Sequence, residues 1–206
     1  MVSLTSVTLE VDDTAVATRF YDALGLDRVR VRASDAPTSG FRGFTISLLV
    51  SQPGNADALI DAALGAGATP LKPAAKSLWG YGGVVQAPDG SIWKVATSKK
   101  KDTGPVERAF ERMVLLLGVD DVKATRRFYE ERGLAVGKSF GGKYVEFDLA
   151  GSPIGLGLYG RKALAMDAGV AADGTGSHRM VIGSDAGSFS DLDGFAWEAA
   201  NAEATA

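Results

Sequence analysis

The chain has 206 residues, of which 46% are hydrophobic and 23% charged, with a formal net charge of −3, no cysteine and one histidine. This composition supports one large or two small globular domains, and it excludes thiol catalysis, cysteine-ligated zinc and disulfides. An acidic balance speaks against a nucleic-acid partner, no stretch reaches the roughly 20 apolar residues of a membrane span, and the N-terminus lacks a basic segment followed by an apolar one; all of this is compatible with a cytoplasmic protein.

In chain order, Val7-Thr8-Leu9-Glu10-Val11 reads as a strand, and Asp12-Asp13 cap the helix that follows. Val16, Phe20 and Leu24 form one stripe of that helix, and Gly25 ends it. Val29–Arg32 and Phe44–Val50 read as further strands. A second helix is predicted from a cap at Asn55, with Ala56, Leu59, Ile60, Ala63 and Leu64 at helical spacing and Gly67 beyond its end. Two strands then flank the turn at Asp89-Gly90. Lys99, Lys100 and Lys101 open a Gly/Pro-containing linker over 99–111.

The pattern then restarts. Val119-Asp120-Asp121, Arg127-Phe128-Tyr129 and Gly133-Leu134 repeat Val11-Asp12-Asp13, Arg19-Phe20-Tyr21 and Gly25-Leu26 without a gap. Asp193-Gly194 before Trp197-Glu198 repeats Asp89-Gly90 before Trp93-Lys94. The chain is therefore read as half one (1–98), a linker (99–111), half two (112–202) and a tail (203–206). The opening strand of half two, Val114–Val119, is almost wholly apolar and is expected to be buried on both faces. Strands are predicted at Lys143–Leu149, at Ile154–Tyr159 and near His178–Ile182. The passage from Ser184 to Asp193 leaves no room for a second helix in half two. Gly155–Gly160 matches a dinucleotide fingerprint, but it alternates like a strand and lies outside any strand–helix–strand context.

Strand, Val-x-Asp, a helix carrying Phe-Tyr, Gly-Leu and a distal Asp-Gly-x-x-Trp strand, occurring twice, resembles the vicinal oxygen chelate superfamily of glyoxalase I, bleomycin-resistance proteins and extradiol dioxygenases. The resemblance covers both halves. It implies an α+β fold of paired βαβββ modules with curled mixed sheets, here in two trimmed copies, holding a small-molecule ligand, with a homodimer compatible. Family enzymes hold one divalent metal (Zn, Ni, Mn or Fe) with His, Gln and Glu. In half one the matching positions fall on Ser6, on Thr45 or nearby, and on Lys94; in half two they fall on Val114, near Gly155, on His178 and on Glu198. Only His178 and Glu198 suit catalysis or metal ligation, with Asp185, water or a partner chain completing a set. Trp93, Trp197, Tyr144 and Tyr159 either pack the core or line the ligand cavity.

Three readings compete: a metal-free small-molecule-binding protein; a metal-dependent lyase, isomerase or dioxygenase using His178 and Glu198; and a structural domain whose cavity has closed.

Overall fold

The structure is a computed structural model describing residues 2–200; residues 203–206, read as a tail, lie outside the described residues. The first half supplies β1 (Leu4–Val11), α1 (Thr14–Ala23), β2 (Val29–Ala33), β3 (Thr38–Gly40), β4 (Phe44–Leu49), α2 (Pro53–Gly65), β5 (Thr69–Ser77), β6 (Gly80–Gln86) and β7 (Ile92–Thr97). The second supplies β8 (Arg112–Val119), α3 (Val122–Glu130), β9 (Ala135–Ser139), β10 (Tyr144–Asp148), β11 (Ile154–Gly160), α4 (Arg161–Ala168), β12 (Gly174–Gly176), β13 (Met180–Ser184), β14 (Phe189–Ser190) and β15 (Ala196–Ala199).

The repeated Asp pairs start helices as their positions predict. Asp13 accepts from the Val16 N–H, and Asp121 accepts from those of Lys123 and Ala124. Gly25 and Gly133 take the left-handed backbone that follows α1 and α3, at φ +66° and +87°.

Strand order shows how the copies combine. One sheet has eight strands in the order β5-β6-β7-β4-β8-β11-β10-β9, and another has five in the order β14-β15-β13-β1-β2. In the larger sheet β4 lies parallel to β7, and β8 lies parallel to β11. Each of these pairs is closed by a helical crossover, as parallel neighbours require. The segments β4-α2-β5-β6-β7 and β8-α3-β9-β10-β11 are thus complete βαβββ modules, joined by antiparallel β4 and β8. The smaller sheet joins the reduced modules in the same way, through antiparallel β1 and β13. There β2 pairs directly with β1, and β13 reaches β15 without an intervening helix. Half one therefore carries a reduced module followed by a complete one, and half two carries them in the reverse order.

One apolar core joins both sheets with α1, α2 and α3, and includes Leu9, Phe20, Ile46, Leu59, Leu115 and Tyr129. The pleat sends Leu115 and Leu117 into that core and Val114 and Leu116 to the opposite face. That opposite face is covered by α4, whose Leu164, Ala165 and Ala168 are buried against Val84, Ile92 and Leu116. The expectation that the opening strand of half two is buried on both faces holds for this reason.

Three expectations need correction. Half two does contain a second helix; α4 follows β11 rather than occupying Ser184–Asp193. It went unread because it is eight residues long, begins at Arg161 with no side-chain cap, and buries only Leu164, Ala165 and Ala168. Helix α2 starts at Pro53 after Gln52, and Asn55 lies within it, its amide bonded to Gln52, Ser51 and the Glu107 N–H. Proline at the first position needs no N–H partner, so the side-chain cap is dispensable. Strand β13 begins at Met180; His178 and Arg179 precede it, and Arg179 takes φ +49°.

Candidate functional site

The ligand positions implied by the resemblance form cross-strand rows. In the eight-stranded sheet, Lys94 on β7 faces Ser47 on β4, Ser47 faces Val114 on β8, and Val114 faces Gly155 on β11. In the five-stranded sheet, Ser6 on β1 faces Gly183 on β13, which faces Glu198 on β15. Neighbours in such a row are about 5 Å apart, close enough to share an ion. The first row offers an ammonium, a hydroxyl, an isopropyl group and a glycine, which do not make a metal site. The second offers one hydroxyl and one carboxylate.

Register also shows why His178 does not enter the second row. Trp93 and Lys94 face Ile46 and Ser47, while Trp197 and Glu198 face Ile182 and Gly183. The residue matching Thr45 is therefore Val181, and His178 lies three positions earlier. Its Nδ1 is 2.5 Å from the Arg42 carbonyl oxygen and its Nε2 is 3.0 Å from that of Asp193. The ring stacks on Phe195 at 3.9 Å. Asp193 precedes Glu198 by five residues of mostly extended chain, on the order of 15 Å. Glu198 instead accepts from Arg32 Nη1 at 3.0 Å, and Arg32 Nη2 donates to Glu10 at 2.8 Å. This pairing, led by the Glu198 hydrogen bond, raises the pKa of Arg32. The structure thus does not bring His178 and Glu198 together. Among the described residues no three His, Cys, Asp or Glu side chains are arranged to hold a metal, and Asp185 instead accepts from the Ser3 N–H.

Trp93 and Trp197, candidates for stacking on a ligand, belong to the main core and are 1% and 2% exposed. Their indole N–H groups donate to Ser91 and to the Tyr129 hydroxyl. They face the helices because the odd-numbered positions of β7 and β15 point inward. Tyr144 and Tyr159 are brought together as a cross-strand pair, centroids 4.7 Å apart, beside the apolar cluster under α4. Burial is the main cause that pushes both phenols upward; the Glu146 carboxylate adds to it at Tyr144 and that of Asp167 at Tyr159.

The face that would cradle a ligand is instead shaped by α4. Lys94 Nζ donates to both Asp167 carboxylate oxygens, at 2.9 and 2.7 Å. Lys72 Nζ donates to the Met166 and Asp167 carbonyls at 2.8 and 2.6 Å, where the helix dipole favours a cation. Helix α4 rests on Gly118, where an added Cβ would sit 3.1 Å from Arg161 Cα and from the Gly43 oxygen. Half one has Glu10 at the matching place.

A groove of about 350 Å³ remains between α4 and the β5–β6 hairpin, lined by Lys72, Lys76, Trp79, Gly82, Lys94 and Asp167. Trp79 is 84% exposed at the hairpin tip. A second groove, of about 410 Å³, includes Arg112 and Glu146, which lie 3.5 Å apart and neutralise each other. The sequence reading did not reach Trp79, Asp167 or Lys72. The available signal for Trp79 was an apolar Leu78-Trp79 pair placed directly before a turn glycine.

No protein-family model matches the sequence, and no curated protein matches it. Solved structures do. A glyoxalase I mutant from Zea mays superposes with a TM-score of 0.58 at 14% identity, covering 95% of this chain and 92% of that one. Another structure of glyoxalase I from Zea mays gives 0.56 at 14% identity, covering 90% and 75%. A glyoxalase/bleomycin resistance protein/dioxygenase family enzyme from Burkholderia phytofirmans PsJN gives 0.43 at 18%, covering 47% of this chain and 98% of that one. At these identities the likeness is one of architecture: the chain has the fold of glyoxalase I.

Proposed function

We propose that the chain is a small-molecule-binding protein that works without a resident metal, with its ligand in the groove between α4 and the β5–β6 hairpin. One observation carries this reading. Lys94 stands where a family enzyme would place a carboxylate ligand, and it is bound to Asp167 of α4. What is left is a concave, partly apolar space with a few polar groups, the usual form of a small-molecule site.

Trp79 supplies the test, because Trp93 and Trp197 are buried and Trp79 is not. A ligand from a panel of aromatic metabolites and antibiotics should change Trp79 emission and raise the melting temperature. At a hundredfold excess over Kd the stabilisation is about 2.7 kcal/mol. Trp79→Phe should remove the emission change. A panel that alters neither emission nor melting at high excess would refute the proposal.

A second reading has one observation in its favour. Leu164, Ala165 and Ala168 fill the centre of the sheet face as a core would, which suits a structural domain. It expects no ligand response. The enzymatic reading built on His178 and Glu198 draws no support from the geometry, because the two side chains do not converge.

A further inference from the structure

We infer that the groove takes an organic anion: a flat apolar body bearing one carboxylate or phosphate, whose charged end displaces Asp167 from Lys94. This rests on the groove being the binding site. The charge balance of the lining sets the sign of the ligand. Lys72, Lys76 and Lys94 line the groove, with Asp167 as their single carboxylate. An anion brings that lining towards neutrality, whereas a cation would face three ammonium groups.

The lysines are not equivalent. Lys72 Nζ is occupied by two carbonyls at the end of α4. Lys76 has no carboxylate partner among the described residues. Lys94 has one, in a pair whose side chains are 33% and 42% exposed, so a carboxylate arriving from solvent competes with Asp167 on equal chemical terms. Pairs this exposed hold weakly.

Shape sets the rest of the class. Beside the lysines stands the Trp79 indole, with exposed Leu78 next to it. Two lining positions admit no side chain: an added Cβ at Gly82 would lie 2.4 Å from the Val95 carbonyl oxygen, and one at Gly80 would lie 2.0 Å from that of Thr97. An exposed indole beside two positions that must stay glycine admits a planar ring more readily than a branched body.

Calorimetry on the full chain with 2-naphthoate, 2-naphthyl phosphate and neutral 2-naphthalenemethanol tests the class. At least one anion should bind about tenfold more tightly than the alcohol, as charge-assisted contacts to ammonium groups require. The better of the two identifies the anionic group. Asp167→Asn should tighten anion binding several-fold by removing the competitor, Lys76→Met should weaken it, and neither should affect the alcohol. A folding defect would weaken binding in both variants, so the opposite signs separate the two causes. If the alcohol binds as well as the anions and is lost in Trp79→Ala, the anion class is overturned while the groove stands. Anion binding that survives both Trp79→Ala and Lys76→Met, or weakens in Asp167→Asn, also overturns it. So does failure of all three probes where another compound still changes Trp79 emission.

Discussion

Lys94 Nζ lies 2.7 Å from Asp167 Oδ2, so the closing strand of one half grips a helix that belongs to the other. The contact links three sequence features that look unrelated in isolation: a lysine where a metal ligand is expected, an opening strand with no polar face, and Gly118 where half one has Glu10. Each is what α4 needs in order to lie on the eight-stranded sheet. The lysine holds its end, the apolar face packs against it, and the missing Cβ lets its backbone approach.

Replacing the lysine with the family's residue should therefore not restore the family's chemistry. Lys94→Glu loses a half-exposed ion pair and sets a second carboxylate beside Asp167, for a cost of about 1 kcal/mol. Ser47, Val114 and Gly155, the other members of the row, still offer no donor set. Elemental analysis of the variant, purified without chelator, should find no stoichiometric divalent metal. One equivalent of nickel, zinc or manganese would show that the row is a site lacking only its carboxylate.

If α4 is part of the fold, truncating its anchor must be costly. Leu164 is fully buried. Leu164→Ala should destabilise the protein by about 2–5 kcal/mol in denaturant titrations, the range for a large-to-small change in a packed core. A loss below about 1 kcal/mol would mean that α4 is marginally docked.

Asp191 gives a pH dependence of known sign. Its carboxylate accepts from the Tyr129 hydroxyl at 2.5 Å and from the N–H groups of Asp193 and Phe195. Burial nevertheless raises its pKa, outweighing those hydrogen bonds. A folded-state pKa above the unfolded one favours the protonated form in the native state. The resulting stabilisation is full at acidic pH and is lost as pH rises through the folded-state value. Asp191→Asn removes that titration and can still accept from the two N–H groups. Its stability relative to the parent should therefore improve as pH rises from the acidic range, where the aspartate is protonated in both states, to neutrality in matched denaturant titrations. A relative change of the opposite sign would show that the hydrogen bonds outweigh burial.

The helix starts at Asp13 and Asp121, the turn glycines and the repeat were legible because each is a local rule written in adjacent residues. The sorting of strands into sheets was not, because the reduced modules pair with each other from opposite ends of the chain, Leu4 with Ser184 and Leu9 with Met180, and no local pattern encodes partner choice. His178 illustrates the limit. Its place in the family pattern suggested a metal ligand, but register gives the position matching Thr45 to Val181, and a shift of three residues is invisible without the strand pairing. The tryptophans were legible as a pair but not as to face, which follows from strand parity once Lys94 and Glu198 are placed outward. Helix α4 left only an indirect trace, the doubly apolar strand that it covers.

His178 tests whether the lone histidine is chemical or structural. Its two ring nitrogens meet the carbonyls of Arg42 and Asp193, and its ring lies on Phe195, tying the segment before β4 to the turn before β15. Removing it takes the ring N–H from at least one of those carbonyls and opens a space against a buried phenylalanine, so His178→Ala should cost about 1–3 kcal/mol of stability. Glu198 is 52% exposed at its side chain and shares Arg32 with Glu10, so Glu198→Gln should cost less than about 1 kcal/mol. Neither change should alter the response of Trp79 to a ligand, because neither residue lines its groove. Denaturant titration gives the first comparison and Trp79 emission the second. Equal effects of both substitutions on ligand turnover, with stability unchanged, would instead make them partners in a reaction and refute the structural assignment of His178.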